Sequence, residues 1–356
     1  MAGRGYLYRG DRNAAFYLSS GFRRAGLRPA GGSFLQEFKL RQNVFPAGQS
    51  LRLNGRKLRP GRDFIPAPAN PPIKGSFRMD SLPGKSALIL KENQEFRPAA
   101  GQKNPDLIVR LRKKLTHSLA SEQKGIPEIY LLDSAFSKGD TSIRLSIKSK
   151  TKKFRSYNVM GMVKGHSVPD SFLVVCAHYD HLGSLGKHVW FPGANDNASG
   201  VALLLELARE IAERPLRYSV LFIAFSGEEA GLVGSRFMAE NPPVPLEKIR
   251  FLFNLDLMGF GEKGATVVNA TLHPREFELL KNQNAEYKYL PEIKARGKAA
   301  NSDHFPFSEK GVPAFFMYLM GGPGYYHDVL DKPESLSLKG IRGSYQLILS
   351  FLSGYW

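Results

Sequence analysis

The sequence predicts an α/β protein in three layers, with helices on both faces of a mixed, largely parallel central sheet. Three observations point there. SFLVVCAH (171–178), SVLFIAF (219–225), RFLFNLD (250–256) and PAFFMYL (313–319) are short, almost unbroken apolar runs rich in Val, Phe and Ile. Strands buried on both faces have that composition. Between them, ASGVALLLELAREIAER (198–214), GLVGSRFMAEN (231–241) and PREFELLKNQNAEY (274–287) place apolar residues three and four apart, as helices do. Strand and helix alternate, and that order builds a parallel sheet covered on both sides.

Upstream, residues 11–27 space Ala14, Ala15, Tyr17, Leu18 and Phe22 for one helix face. Asp11 is placed to cap its start and Gly26 to end it. From 45 to 105, Pro and Gly punctuate short apolar runs, as in FIPAPANPPIKG and LPGKSALILKENQ, which is loop and short-strand composition. DLIVRLRKKLTHSLASEQ (106–123) is expected to be a helix and IPEIYLLDS (126–134) a strand. SIRLSIKSKTKKF (142–154) alternates like an exposed strand. The expected division is a helical N-terminal segment (1–50) packed on the main domain, a small inserted α+β or β-rich segment (51–152), and the main domain (153–356).

At 356 residues and 42% hydrophobic content, the chain can bury a full core. Its net charge of +18 raises the question of an anionic partner. The basic residues are dispersed, however, with only modest clusters at Arg110–Lys114 and Lys148–Arg155 and no nucleic-acid-binding motif. A solvated basic surface and no nucleic-acid partner are expected. No apolar run approaches the roughly 20 residues of a membrane span. MAGRGYLYRG has no apolar signal core, so a cytoplasmic protein is expected, or an exported one if a signal peptide has been removed. The single Cys176, inside FLVVCAH, reads as a small core residue.

Five stretches put a ligand-type side chain at the end of an apolar run or in a glycine-rich loop: AHYDHLG (177–183), GANDNASG (193–200), FSGEEAGLVGS (225–235), NLDLMGF (254–260) and YYHDVLD (325–331). In an open α/β sheet, such positions gather at the carboxyl ends of the strands. His178, Asp196, Glu229, Asp256 and His327 are therefore the candidate metal ligands. Asp196 alone would read as a helix N-cap; beside four other ligand types it reads as a metal-bridging carboxylate. Glu228 and Glu229 are adjacent and point differently, so one can bind metal while the other faces the attacking water as general base. Asp180 is the candidate to orient His178, and Asp331 to support His327. His304 is expected to line the pocket, whereas His181 and His188 are expected to be loop residues without a ligand role.

These motifs, with SDHFPF and GVPA, run in the order found in the di-zinc exopeptidases that include the bacterial leucine-type aminopeptidases. The chain resembles that family from about 171 to 331, and its N-terminal helix resembles the family's start. Glutamate carboxypeptidases and glutaminyl cyclases are relatives. The resemblance implies the zinc exopeptidase fold and two Zn2+ per chain, with Co2+ or Mn2+ able to substitute. His178 and Asp256 look like terminal ligands of one zinc, Glu229 and His327 of the other. Asp196 looks like the bridge, at an Asp–Asn bond that is typically cis. Glu228 looks like the general base that activates a bridging water, and Tyr326 like a donor to the oxyanion. The implied function is a metal-dependent exopeptidase removing N-terminal residues from peptides. Its rivals are a carboxypeptidase, for which Arg296–Lys298 would supply the basic anchor, a one-zinc glutaminyl cyclase, and a non-catalytic receptor-like protein. The sequence departs from the pattern at Asp331-Lys332-Pro333, where many members place Thr after the Asp. Residues 51–152 match less well and are compared with a reduced protease-associated domain.

Overall fold

A nine-stranded mixed sheet organises the chain; the computed structural model describes residues 2–79, 85–97 and 103–356. Its centre is four parallel strands in the order Tyr218–Phe225, Val168–His178, Ile249–Leu255 and Ala314–Leu319. Lys150–Val163 pairs antiparallel on one side, while Ala265–Val268 and then Ile293–Ala295 complete the other. The sheet is thus mixed but parallel at its core, as the apolar runs predict.

Side chains alternate across these strands and set up the layers. Leu173, Val175 and Ala177 share one core with Phe22, Leu204, Leu280 and Phe351, which come from the helices Gly10–Arg24, Gly200–Glu213, Pro274–Tyr287 and Ile341–Ser353. Val174 and Cys176 face the opposite layer, where Met238 and Phe307 project from the helices Val233–Glu240 and His304–Ser308. Cys176 is a wholly buried core residue.

The N-terminal segment does more than form a helix. Leu35–Val44 is a strand paired along its whole length with Lys150–Val163, a strand that itself runs across the expected boundary at 152/153. Asp11 is not the cap of the first helix. That helix starts at Gly10, and the Asp11 carboxylate is buried, accepting a hydrogen bond from Ser156 Oγ at 3.0 Å. The helix expected over 106–123 is also corrected. Leu107–Arg112 is a strand lying parallel to both Ala87–Leu90 and Glu128–Leu132, and 113–123 is irregular. A short apolar run reads equally as helix or strand. Here burial of Leu107, Ile108 and Val109 between two neighbouring strands decides it.

Residues 50–147 contribute two four-stranded sheets. Residues 80–84 and 98–102 of the loop-and-strand stretch lie outside the described residues. The sheets enclose their own core around Leu51, Phe64, Val109 and Leu145, which continues into Leu182, Leu185 and Phe191 of the site-bearing loops. No helix among the described residues is long and apolar enough to cross a membrane.

Candidate metal centre

The candidate ligands meet at the carboxyl ends of the parallel strands. His178 closes Val168–His178; Glu228 and Glu229 follow Tyr218–Phe225; Asp256 follows Ile249–Leu255; His327 sits in the loop after Ala314–Leu319. Asp196 lies in a wide turn, Ala194–Ser199, ahead of the helix Gly200–Glu213, and its peptide bond to Asn197 is cis. Gly193 enters that turn at φ +61°, and a Cβ there would collide with the His181 ring and the Asp196 carbonyl.

The two oxygens of Asp196 face two different groups. Oδ1 lies 3.3 Å from His178 Nε2, which is 3.4 Å from Asp256 Oδ1. Oδ2 lies 3.2 Å from His327 Nε2, which is 3.1 Å from Glu229 Oε2. Two ligands on one tetrahedral zinc, at about 2.0–2.1 Å each, stand about 3.3 Å apart, and these separations match. His178 Nε2, Asp196 Oδ2 and Asp256 Oδ1 are also buried without a hydrogen-bond partner. Such atoms cost stability unless something satisfies them. A nitrogen and oxygen donor set of this kind suits zinc.

Charge inside the cluster is strongly coupled. Burial works against a charged His178, but Asp256, Glu228 and Asp196 lift it well above its ordinary range. Burial likewise opposes charge on His327, yet Glu229 and Asp196 raise it to about 10. Burial and the Asp196 charge push Glu229 up; His327 and His181 outweigh them and bring it down to about 2. A cation bound among these groups would displace their protons. Glu228 differs. Burial, reinforced by Glu229, Asp303 and Asp256, pushes its carboxyl well above the usual range, and among the described residues it joins none of the cluster's ion pairs.

Three supporting residues act differently from expectation. Asp180 does not receive the His178 Nδ1–H through its carboxylate, which is 3.8 Å away; the nearer acceptor is its backbone carbonyl at 3.2 Å. The carboxylate instead accepts from Tyr6 Oη at 2.6 Å and from the Glu228 amide at 3.2 Å. Asp331 accepts from backbone amides rather than from His327. His181 is no free loop residue: it is wholly buried, with Nδ1 2.7 Å from Glu229 Oε1. His188 is exposed, and His304 is buried against Phe316. The Tyr326 ring is half-exposed and stacks on His327, centroids 3.8 Å apart.

Residues 158–352 match the model of peptidase family M28. The chain belongs to peptidase family M28. Aminopeptidase YwaD of Bacillus subtilis is 28% identical over 291 residues, covering 74% of this chain and 61% of that protein. A probable zinc metalloprotease of Pyricularia oryzae is 41% identical over 104 residues, 29% of this chain and 21% of that protein. The chain thus spans less than two thirds of these curated relatives. Among solved structures, the aminopeptidase of Aneurinibacillus sp. strain AM-1 superposes with a TM-score of 0.71 at 19% identity, covering 98% of this chain and 89% of that one. That likeness shows the shared fold.

Two residues that hold this M28 centre together carry no sequence signal. Arg4 donates to the carbonyls of Tyr179, Pro192 and Gly193, each at 2.7 Å, and of Asp196 at 3.0 Å. Lys114, just after the strand Leu107–Arg112, donates to the Gly324 and Tyr326 carbonyls. Both sit far along the chain from the motifs they serve. Asn197 was within reach of sequence reasoning, since GANDNASG supplies more polar groups than a cap needs. Its side chain ties the turn to Leu255 O and the Gly200 amide.

Proposed function

We propose that this chain is a two-zinc aminopeptidase, with His178 and Asp256 holding one ion, Glu229 and His327 the other, and Asp196 shared between them. The observation that carries the reading is the division of the two Asp196 oxygens between the His178 and His327 groups. Zinc bound there would supply Lewis acidity and lower the pKa of bound water. The chain supplies the rest. Glu228, outside the ligand set and with a raised proton affinity, accepts the proton of the attacking water and returns it to the leaving amine. Asp180 positions Glu228 by accepting its amide and steadies His178 through its own carbonyl. Tyr326, packed on His327, is placed to donate to the oxyanion.

The side-chain pocket proposed for the N-terminal residue is a cavity of about 340 Å3 lined by Leu257, Phe260, Tyr318, Met320, Tyr325 and Tyr326. Its apolar and aromatic wall fits a large apolar side chain. Lys298 is paired with Glu309 and so is not a free anchor for a substrate carboxylate. Arg296, 3.5 Å from the Tyr318 hydroxyl, has no carboxylate partner among the described residues, and the substrate panel below decides the carboxypeptidase reading. We extend the proposal to the expected three-part division, with its second boundary moved ahead of Lys150 so that the strand Lys150–Val163 stays whole in the main domain, and with the residues before it, from about 51, as a reduced protease-associated-like insertion.

Glu228→Gln tests the mechanism. Zinc content should stay unchanged while hydrolysis of leucine p-nitroanilide falls by at least about 10²-fold. Survival of turnover in that variant would remove Glu228 from the proposed role. Cleavage of N-acylated dipeptides in preference to aminoacyl substrates would replace the aminopeptidase with a carboxypeptidase.

A further inference from the structure

A second cavity, about 500 Å3, opens between the inserted segment and the loops that carry the metal centre. Arg59, Arg62, His188, Trp190, Leu330 and Lys332 line it. The lining holds no acid, and the nearby carboxylates are committed elsewhere. Asp63 accepts both the Nε and the Nη2 of Arg59. Asp331 spends its two oxygens on the amides of Asn195 and Asp196. Asp328 accepts the Leu330 amide. Arg62 and Lys332 are exposed and have no carboxylate partner among the described residues. Beside these free cations stand apolar surfaces left partly open, Trp190 and Leu330, at 37% and 39% exposed.

The cavity's place matters as much as its charge. Asp331 lines the aromatic cavity, while its neighbours Val329, Leu330 and Lys332 line the basic one. A single short segment, Val329–Lys332, reached two residues after His327, is therefore the wall between them. A peptide with its first side chain in the aromatic cavity must leave the metal centre on another side. The basic cavity is walled by this segment and by His188, Val189, Trp190 and Pro192, just ahead of Asp196, so the chain stretches that flank it are the ones that lead to Asp196 and from His327.

We propose that this cavity is a subsite for a carboxylate of the bound peptide downstream of the scissile bond, held by Arg62 and Lys332, with the peptide's apolar parts on Trp190 and Leu330. The proposal rests on the aminopeptidase reading. A guanidinium and an ammonium lining one open cleft recognise a carboxylate through charge-assisted hydrogen bonds. The carboxylate can be the free C-terminus of a short peptide or an acidic side chain, and substrates separate the two.

The test compares leucine p-nitroanilide, Leu-Gly-Gly, Leu-Gly-Gly amide and Leu-Gly-Glu amide on the zinc-loaded protein and on its Arg62→Gln/Lys332→Gln double variant. The native protein should show a KM about tenfold lower for the free acid than for its amide, a gap that narrows with salt. An equal advantage for Leu-Gly-Glu amide assigns the site to acidic side chains as well. The double variant should lose the gap and keep its kcat/KM on leucine p-nitroanilide. Calorimetric binding of Leu-Gly-Gly and its amide on the Glu228→Gln background reads the same gap without turnover. Equal KM and equal affinity for acid and amide in the native protein, or a gap that persists in the double variant, overturns the subsite. Failure to cleave leucine p-nitroanilide alongside cleavage of N-acylated dipeptides overturns the aminopeptidase reading instead.

Discussion

Asp331 turns its carboxylate onto the backbone of Asp196, accepting that residue's amide at 3.0 Å through Oδ2. Its Oδ1 accepts the Asn195 amide at 2.8 Å. The side chain most central to the candidate metal centre is thus aimed by a neighbour four residues beyond His327, which acts on main chain and not on an imidazole. Asp331→Ala should leave both amides without that acceptor and let the turn relax. Zinc affinity is expected to fall about 10- to 100-fold, read by competition with a chromogenic chelator. Unchanged affinity would show that the turn holds Asp196 without Asp331.

The brace from Lys114 and His117 predicts a different outcome. Lys114 Nζ donates to the Tyr326 carbonyl at 3.1 Å, and the His117 amide donates to the His327 carbonyl at 3.2 Å. The loop they hold contains Gly321, Gly322 and Gly324, all at positive φ, and is intrinsically pliable. In Lys114→Met the His117 contact remains, so zinc content should stay near that of the native protein. Tyr326 would be less well fixed, and kcat should drop on the order of tenfold with a smaller change in KM. Loss of zinc in parallel with kcat would instead mean that Lys114 holds the ligand itself.

That the candidate ligands gather in one place was legible because chemistry and topology coincide. His178, Glu229 and Asp256 each end a buried apolar run, and strand ends in a parallel sheet converge. The supporting contacts were not legible, because they cross between segments with no pattern of their own. Asp331 lies at i+4 from His327, a spacing that suggests a side-chain pair, yet the loop carries it to the other side of Asp196. His181 resembles any loop histidine; only the approach of the strand end before Glu229 gives it a partner. The 106–123 helix failed because DLIVRLRKK has the same spacing in either state, and only neighbouring strands 20 residues away decide between them.

Asp11 gives the chain a pH-dependent stability. Burial raises its carboxyl to about 6 from an ordinary 3.8, against the pull of the Arg12 amide and of Ser156. A carboxyl with a raised folded-state pKa binds its proton more tightly in the folded state. Its contribution is fully present below about pH 4 and is lost as pH rises through about 6. That difference corresponds to about 3 kcal/mol at most. Asp11→Asn keeps the shape without the charge. It should be more stable than the native protein by about 1–3 kcal/mol at pH 8 and nearly equal to it at pH 4, measured by urea unfolding of both proteins at each pH. A stability difference that does not change between pH 4 and pH 8 would mean that the Asp11 charge is not opposed by its burial.

Arg4 predicts the largest stability loss. One guanidinium donates to four carbonyls, and these belong to the strand end after His178 and to the turn that presents Asp196. Burial lowers its pKa, but a guanidinium stays charged in proteins, and Asp196, Asp180 and Asp331 offset the cost of keeping it so. An ammonium cannot reproduce that planar fork. Arg4→Lys should therefore behave as a disruptive change, leaving at least two of the carbonyls unsatisfied and costing about 2–4 kcal/mol. The expected signature is a lower urea midpoint with an unchanged slope, together with weaker zinc binding, since the same carbonyls fix both the fold and the Asp196 turn. Arg4→Met should lose more than Arg4→Lys on both measures. If Arg4→Lys unfolds at the native midpoint and binds zinc normally, the four-carbonyl clamp does not hold the turn.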